Sequence, residues 1–427
     1  MTNQPGPSSA AFCSNKLRLL AFAPVLLFAL TMITMQSAQA QGFNILYTFT
    51  GGAHGFYPSG LIFDRSGNLY GIDEDDPYFN GAVFELMRED STWVLEPLYN
   101  FPGGSGGSGP GGVIFGPDGA LYGTTGGGGG VCGGLLHGCG TVFRLAPSPS
   151  RCGNIFCLWN ESLLFTFGYS LGDDGYNPNS GVIFDSAGNI YGITYHGGLY
   201  NAGTAFQLVR TQNGWVENIL DNFPFSTGYP GSGLTLDSSG NLYGTSIYGG
   251  TYGLGRVYQL VHTGEGWTDN TIYSFQGDND GRYPSGGLIF DAAGNAYGTT
   301  GGNGPGDGQP GTVYQLTPQA DGTWRETVLH VFPNDIFGPA GNLVMDAAGN
   351  LYGLTQGTPG NNPDKWGMIF ELSPVNGSWI FTQLHEFTNG DDGSTPSGIT
   401  LDAAGNLYGA SVHGGAHGWG LIWEITP

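Results

Sequence analysis

The residues best suited to chemistry in this 427-residue chain are its clusters of acids. Asp73-Glu74-Asp75-Asp76 is the densest run. Three further groups end in Gly: Asp173-Asp174-Gly175, Asp278-Asn279-Asp280-Gly281 and Asp391-Asp392-Gly393. A calcium ion takes six to eight oxygen ligands, and acidic loops can donate several of them. Calcium is therefore the cofactor these positions suggest. The plainer readings are a solvated acidic loop for the first run and ordinary Asp-Gly turns for the others. The run at Asp73 does not follow the alternating Asp-x-Asp-x-Asp-Gly spacing of an EF-hand.

The histidines offer a second chemistry. His413 and His417 are four apart but stand among Gly414, Gly415 and Gly418, so helical ligand geometry does not apply. If the chain closes into a ring, His54 approaches them, which would suit a transition metal. His330 and His385 replace a Tyr in a recurring strand, where packing or surface exposure is the plain expectation. No Ser nucleophile elbow, phosphate-binding Walker loop or zincin motif is present. With 34 acids, any catalytic carboxylate pair chosen from the sequence would be arbitrary. Ligand-face candidates are His196, Tyr200, Tyr248, Tyr252, Trp366, His413 and Trp419. They lie in glycine-rich stretches, and their rings could stack on sugars.

The elements that must position these residues are set by a repeat. A segment of the form Asp-Ala-Ala-Gly-Asn-Leu-Tyr-Gly occurs in seven versions, each ending in Tyr-Gly, at glycines 71, 123, 192, 244, 298, 353 and 409. The intervals are 52, 69, 52, 54, 55 and 56 residues. The long one contains Cys132, Cys139, Cys152 and Cys157, which marks an insertion in the second repeat. Each repeat holds four strand signals: Gly-Leu-Ile-Phe-Asp, Asn-Leu-Tyr-Gly-Thr, Gly-Thr-Val-Phe-x-Leu, and a stretch from a Trp to Leu-Tyr-x-Phe. In Asp-x-x-Gly-Asn, Asp can bond the turn backbone and Gly supplies a positive φ, so the motif reports a hairpin. A Tyr repeated in all seven units is expected to pack between neighbours.

Seven units of four antiparallel strands predict an all-β, seven-bladed β-propeller. The chain ends agree with a ring. Residues 43–49 read as a fourth strand with no first three, and residues 420–425 as a third strand with no fourth. Paired, they complete one blade and leave no open seam. Antiparallel meandering puts the second-to-third-strand loops and the blade-to-blade loops on one face, which is where a site is expected.

Residues 1–40 are expected to be a cleaved signal peptide, with Lys16 and Arg18, an apolar run from Leu19 to Met35, and Ala38-Gln39-Ala40 as the cleavage site. Residues 41–427 then form one domain, exported to the periplasm, cell surface or medium, with no membrane span after cleavage. A formal net charge of −23 argues against nucleic acid and anionic membranes as partners. In an oxidising compartment the four cysteines read as disulfides Cys132–Cys139 and Cys152–Cys157, with a zinc site as the alternative.

The whole pattern, from Gly-Leu-Ile-Phe-Asp-x-x-Gly-Asn-Leu-Tyr-Gly-Thr to Gly-Thr-Val-Phe-x-Leu, resembles the bacterial GloVer tandem repeat of choice-of-anchor proteins over residues 43–427. That resemblance implies an exported, propeller-like protein and supplies no catalytic residues. No sorting tail follows Pro427, so anchoring by such a tail is not expected. The first two strands also resemble NHL and gluconolactonase-type repeats, which implies architecture only. The expectation is a monomeric, non-enzymatic binding or scaffold module for a glycan, a protein or a cell-envelope component. The alternative is a propeller enzyme of lactonase, lyase or glycoside hydrolase type, with a metal or carboxylate site at the channel mouth.

Overall fold

The structure, a computed structural model, describes residues 42–52, 55–73, 80–90, 92–130, 132, 138–148, 159–168, 174–178, 180–264, 266–277, 280–302, 311–333, 338–357 and 366–427. The chain divides into two units, 1–41 and 42–427. The expected signal peptide therefore lies outside the described residues. Among those residues no helix is long and apolar enough to cross a membrane.

Strands rich in Val, Ile, Tyr and Phe form seven four-stranded antiparallel sheets arranged as a ring of blades. Blades 1 to 6 span 58–100, 108–166, 183–222, 235–274, 289–331 and 339–386. Blade 7 takes its inner strands from Ser394–Leu401, Leu407–His413 and Leu421–Thr426, and its outermost strand from Gly42–Thr48. Gly42 pairs with Thr426 and Thr48 with Leu421, with a bulge between Ile45 and Tyr47.

The repeated hairpin is a hydrogen-bond cage. In blade 7, Asp402 Oδ1 accepts the N–H groups of Ala404 and Asn406, both at 2.8 Å. Its Oδ2 accepts Asn406 Nδ2 at 2.8 Å and Tyr408 O–H at 3.2 Å. Asp185, Asp237, Asp291 and Asp346 repeat this arrangement. Blade 2 shifts the acid to Asp118, which instead pairs with Arg144 at 2.7 Å. In blade 1, Tyr70 donates to Glu85 at 2.7 Å.

The glycine of Tyr-Gly has a packing reason. Directly across from it, on the third strand, stands a large aromatic: Phe84, Phe143, Phe206, Tyr258, Tyr314, Phe370 or Trp423. A β-carbon on Gly71 would fall 2.6 Å from Phe84 Cζ, so only Gly lets the ring lie flat over the second strand. The tyrosine packs outward between blades as expected. Tyr70 meets Phe115 edge-on at 5.1 Å, Tyr243 meets Phe290 at 4.9 Å, and Tyr408 meets Phe63 at 4.9 Å across the ring closure.

The outermost strands also carry matched pairs between neighbouring blades. Tyr99 donates to Glu161 at 2.7 Å. His330 stacks on Phe381 at 4.2 Å, and His385 on Phe43 at 3.9 Å. Both histidines are thus packing residues, and burial holds each pKa below its ordinary value.

Candidate functional site

The upper face carries the second-to-third-strand loops and the blade crossings. The two are stitched together: Gly175 pairs with Gly197, Tyr176 with His196, Pro230 with Ser246 and Pro284 with Thr300. At this rim a residue at or near the end of each second strand faces one at or near the start of the third. In blades 2, 3 and 5 both are Thr, joined hydroxyl to hydroxyl: Thr125–Thr141 at 2.8 Å, Thr194–Thr204 at 2.9 Å and Thr300–Thr312 at 2.9 Å.

Two blades break this rim with charge. In blade 4 Arg256 takes the third-strand position, almost fully buried, and grips both carboxylate oxygens of Asp269 at 2.8 and 2.5 Å. Burial and the nearby Asp269 raise the pKa of Asp221, from blade 3. In blade 1 Asp73 faces Ala82. Asp73 is only 9% exposed, and burial pushes its pKa up to about 7.

Aromatic rings gather on the same face. Tyr195 and Tyr229 stack at 5.4 Å with an interplanar angle of 17°. His196 lies edge-on to Tyr195 at 4.8 Å and stacked on Tyr176 at 5.3 Å. Burial lowers its pKa, which favours the neutral imidazole. Phe225, 62% exposed, flanks Tyr229 at 6.2 Å. Exposed Tyr248 meets Tyr283 at 5.3 Å. Where blade 7 meets blade 1, Tyr57 contacts His413 at 5.0 Å and Trp419 at 5.9 Å.

The sequence candidates distribute unevenly over this face. Tyr200, Tyr248 and Tyr252 are exposed, as expected of a stacking surface. Trp366 and Trp419 are half-buried and serve packing between blades more than presentation. Sequence reading missed Tyr57, Tyr229 and Tyr283. Their signal was present, since each directly precedes the proline that enters a blade. The left-handed φ values of 52° at Tyr57 and 55° at Tyr283 belong to that crossing, because Asn177 and Thr395 share them before their own prolines.

The acidic candidates are tied into their own loops. Asp280 accepts Tyr273 O–H at 2.8 Å, Gln276 N–H at 2.9 Å and Gly277 N–H at 3.0 Å. Asp392 accepts Thr388 N–H at 3.0 Å and lies 3.2 Å from His385 Nε2. Asp391 is exposed. Asp174 lies near the half-buried Glu217. Glu74, Asp75, Asp76, Asp173, Asp278, His54, Cys152 and Cys157 lie outside the described residues. Among the described residues no group of three or more His, Cys, Asp or Glu could hold a metal ion. Cys132 and Cys139 form a disulfide.

A central cavity of about 600 Å³ runs between the innermost strands. Its wall is made of glycines such as Gly60, Gly112, Gly181 and Gly233, with aliphatic side chains, Ser180, Ser232 and Asn342. Tyr195 and Pro230 link it to the aromatic cluster. No carboxylate, His or Cys lines it among the described residues.

Solved structures with similar architecture include a Lactobacillus plantarum protein (TM-score 0.54, 13% identity, 81% of this chain and 88% of that one). Another is the extracellular domain of a hybrid two-component system from B. thetaiotaomicron (TM-score 0.53, 12% identity, 91% of this chain and 42% of that one). A third is a protein assigned as a 6-phosphogluconolactonase from Bacteroides uniformis (TM-score 0.48, 14% identity, 79% and 88%). At such identities the likeness is one of fold alone. A search among curated proteins finds no match. The family model of the Gloeobacter/Verrucomicrobia repeat matches residues 30–206 and 306–427, which is most of the repeat array. The chain belongs to the Gloeobacter/Verrucomicrobia repeat family.

Proposed function

We propose that this chain is an exported, non-enzymatic binding propeller that presents its upper face to a glycan of the cell envelope or its surroundings. The observation that carries this reading is the stacked pair Tyr195–Tyr229, flanked by His196 and Phe225 at the mouth of the central cavity. Flat aromatic faces with polar edges suit the apolar faces and hydroxyls of sugar rings. A neutral imidazole adds one donor and one acceptor. The leader-like first 40 residues and the disulfide Cys132–Cys139 support export, since disulfides persist in oxidising compartments. The cavity wall favours binding over catalysis, because its hydroxyls have no carboxylate, His or Cys beside them among the described lining residues to activate them.

A glycan array followed by calorimetry on the best hit tests this. Tyr229→Ala should weaken binding roughly tenfold, about 1.4 kcal/mol, while leaving the melting temperature close to that of the parent. Absence of any glycan hit, or turnover of a lactone or polysaccharide that EDTA abolishes, would overturn the reading.

A further inference from the structure

A second cavity, of about 290 Å³, opens at the junction of blades 7 and 1, apart from the Tyr195–Tyr229 cluster. Its lining is unusual for a protein of this charge. Four phenylalanine rings contribute: Phe49, Phe56, Phe84 and Phe101. Among the described lining residues one side chain is titratable, Asp73.

The repeat shows that Asp73 is a substitution in function. In blades 3, 5 and 6 the corresponding threonine hydroxyl accepts the N–H of the residue across from it: Thr204 to Thr194 at 3.0 Å, Thr312 to Thr300 at 3.0 Å, Met368 to Thr355 at 3.2 Å. Asp73 accepts the matching N–H, that of Ala82. The structural duty of the position is met by a neutral hydroxyl elsewhere, so the negative charge is surplus to the fold. Ala82 also removes the partner hydroxyl that Thr141, Thr204 and Thr312 supply to their neighbours. The result is a carboxylate set into an aromatic recess with no basic side chain among the described lining residues.

A buried charge is costly unless a counter-charge meets it. Three kinds of ligand can be weighed. A calcium ion takes six to eight oxygens, more than the side chains of Asp73, Asn80 and Asn100 together supply. A neutral polyol would leave the carboxylate without a counter-charge. An ammonium group answers both features, because it pairs with the carboxylate and is attracted to the faces of aromatic rings. Its three N–H donors exceed what one carboxylate takes, and the side-chain amides of Asn80 and Asn100 at the rim provide further acceptors. An alkyl stem fits against Leu95 and Pro97. The net charge of −23 concentrates cations around the protein.

We propose that the cavity between blades 7 and 1 binds a primary alkylammonium ligand, with the Asp73 carboxylate as its counter-ion inside a ring of phenylalanines. This site is independent of the glycan reading.

The test is calorimetric titration of the full protein at pH 8 with n-butylammonium, with 1-butanol and butyrate as neutral and anionic counterparts. Butylammonium should bind saturably, and neither counterpart should bind. The double variant Asp73→Thr/Ala82→Thr gives blade 1 the rim pair of blades 2, 3 and 5. It should melt at or above the parental temperature and bind at least a hundredfold more weakly. Asp73→Asn, which keeps the shape and the acceptor for Ala82, should lose binding to a similar extent. The proposal fails if butylammonium does not bind, if butanol binds as tightly, or if either variant retains parental affinity.

Discussion

Pro58 lies against Gly420 so closely that a β-carbon on Gly420 would fall 2.7 Å from Pro58 Cδ. Pro58 opens blade 1 and Gly420 stands just before the third strand of blade 7, so the contact spans the ring closure. The same relationship joins every neighbouring pair of blades: Gly81 with Pro110, Gly140 with Pro178, Gly203 with Pro230, Gly255 with Pro284, Gly311 with Pro339 and Gly367 with Pro396. Gly420 also has φ 90°, a conformation that L side chains avoid. Gly420→Ala combines backbone strain with overpacking and should destabilise by about 2–4 kcal/mol. Gly405, with φ 89° and nothing within 4 Å of an added β-carbon, is the control, expected to lose about 1 kcal/mol. Denaturant unfolding of the two variants checks the difference.

Stability should peak in mildly acidic solution. Burial pushes Glu217 up to about 8 and Glu326 up to about 7. Each binds its proton more tightly folded than unfolded, so its contribution is complete below pH 4.5 and is lost as pH rises through 7 to 8. The hairpin acids Asp185, Asp237 and Asp291 run the other way, because hydrogen bonds from Asn, Tyr and backbone N–H outweigh the upward pull of desolvation. Their contribution is present above pH 3.8 and is lost as pH falls through their lowered values. The melting temperature should therefore be highest at about pH 4 to 4.5, where the hairpin acids are ionised and Glu217 and Glu326 still hold their protons. A scan from pH 3 to 9 showing a maximum above pH 7 would contradict this.

Glu217 can be given the partner it lacks. Glu161 receives the Tyr99 hydroxyl from the preceding blade. By strand register Phe165 occupies the place of Tyr99, and Glu217 that of Glu161. Phe165 has no hydroxyl to offer, and Glu217 Oε1 is buried without a hydrogen-bond partner among the described residues. Phe165→Tyr should raise stability by about 1 kcal/mol, more at pH 8 than at pH 5. Tyr99→Phe should do the reverse at Glu161. Melting curves at the two pH values distinguish a hydrogen bond from mere bulk.

Asp402→Ala removes the acceptor of four hydrogen bonds in one hairpin. It should cost about 1–3 kcal/mol. Amide exchange should quicken at Ala404 and Asn406 while the blade core stays protected. Loss of protection throughout the ring would mean that the hairpin governs folding as a whole.

The repeat itself was legible in the sequence. Seven hairpins, four strands apiece and complementary chain ends follow from local turn chemistry and the period-two alternation of strands, which depend on residues only a few positions apart. The role of Tyr408 between blades and the bond Cys132–Cys139 were also readable, the first from repetition and the second from the strand signal at 141–145 that separates the two cysteine pairs. What only the tertiary structure decided lies in how the loops fold back on themselves and how successive blades meet. Tyr195 meets Tyr229 because two successive blade crossings converge on the rim. Asp73 is buried because the end of its strand turns it inward, at a rim where other blades place a hydroxyl. Asp280 and Asp392 are engaged by Tyr273 and Thr388, so acids that looked available in the sequence are held in place by their own loops. Composition records which groups a chain owns, but ring closure determines which of them face one another, because packing between blades joins residues that no local pattern connects.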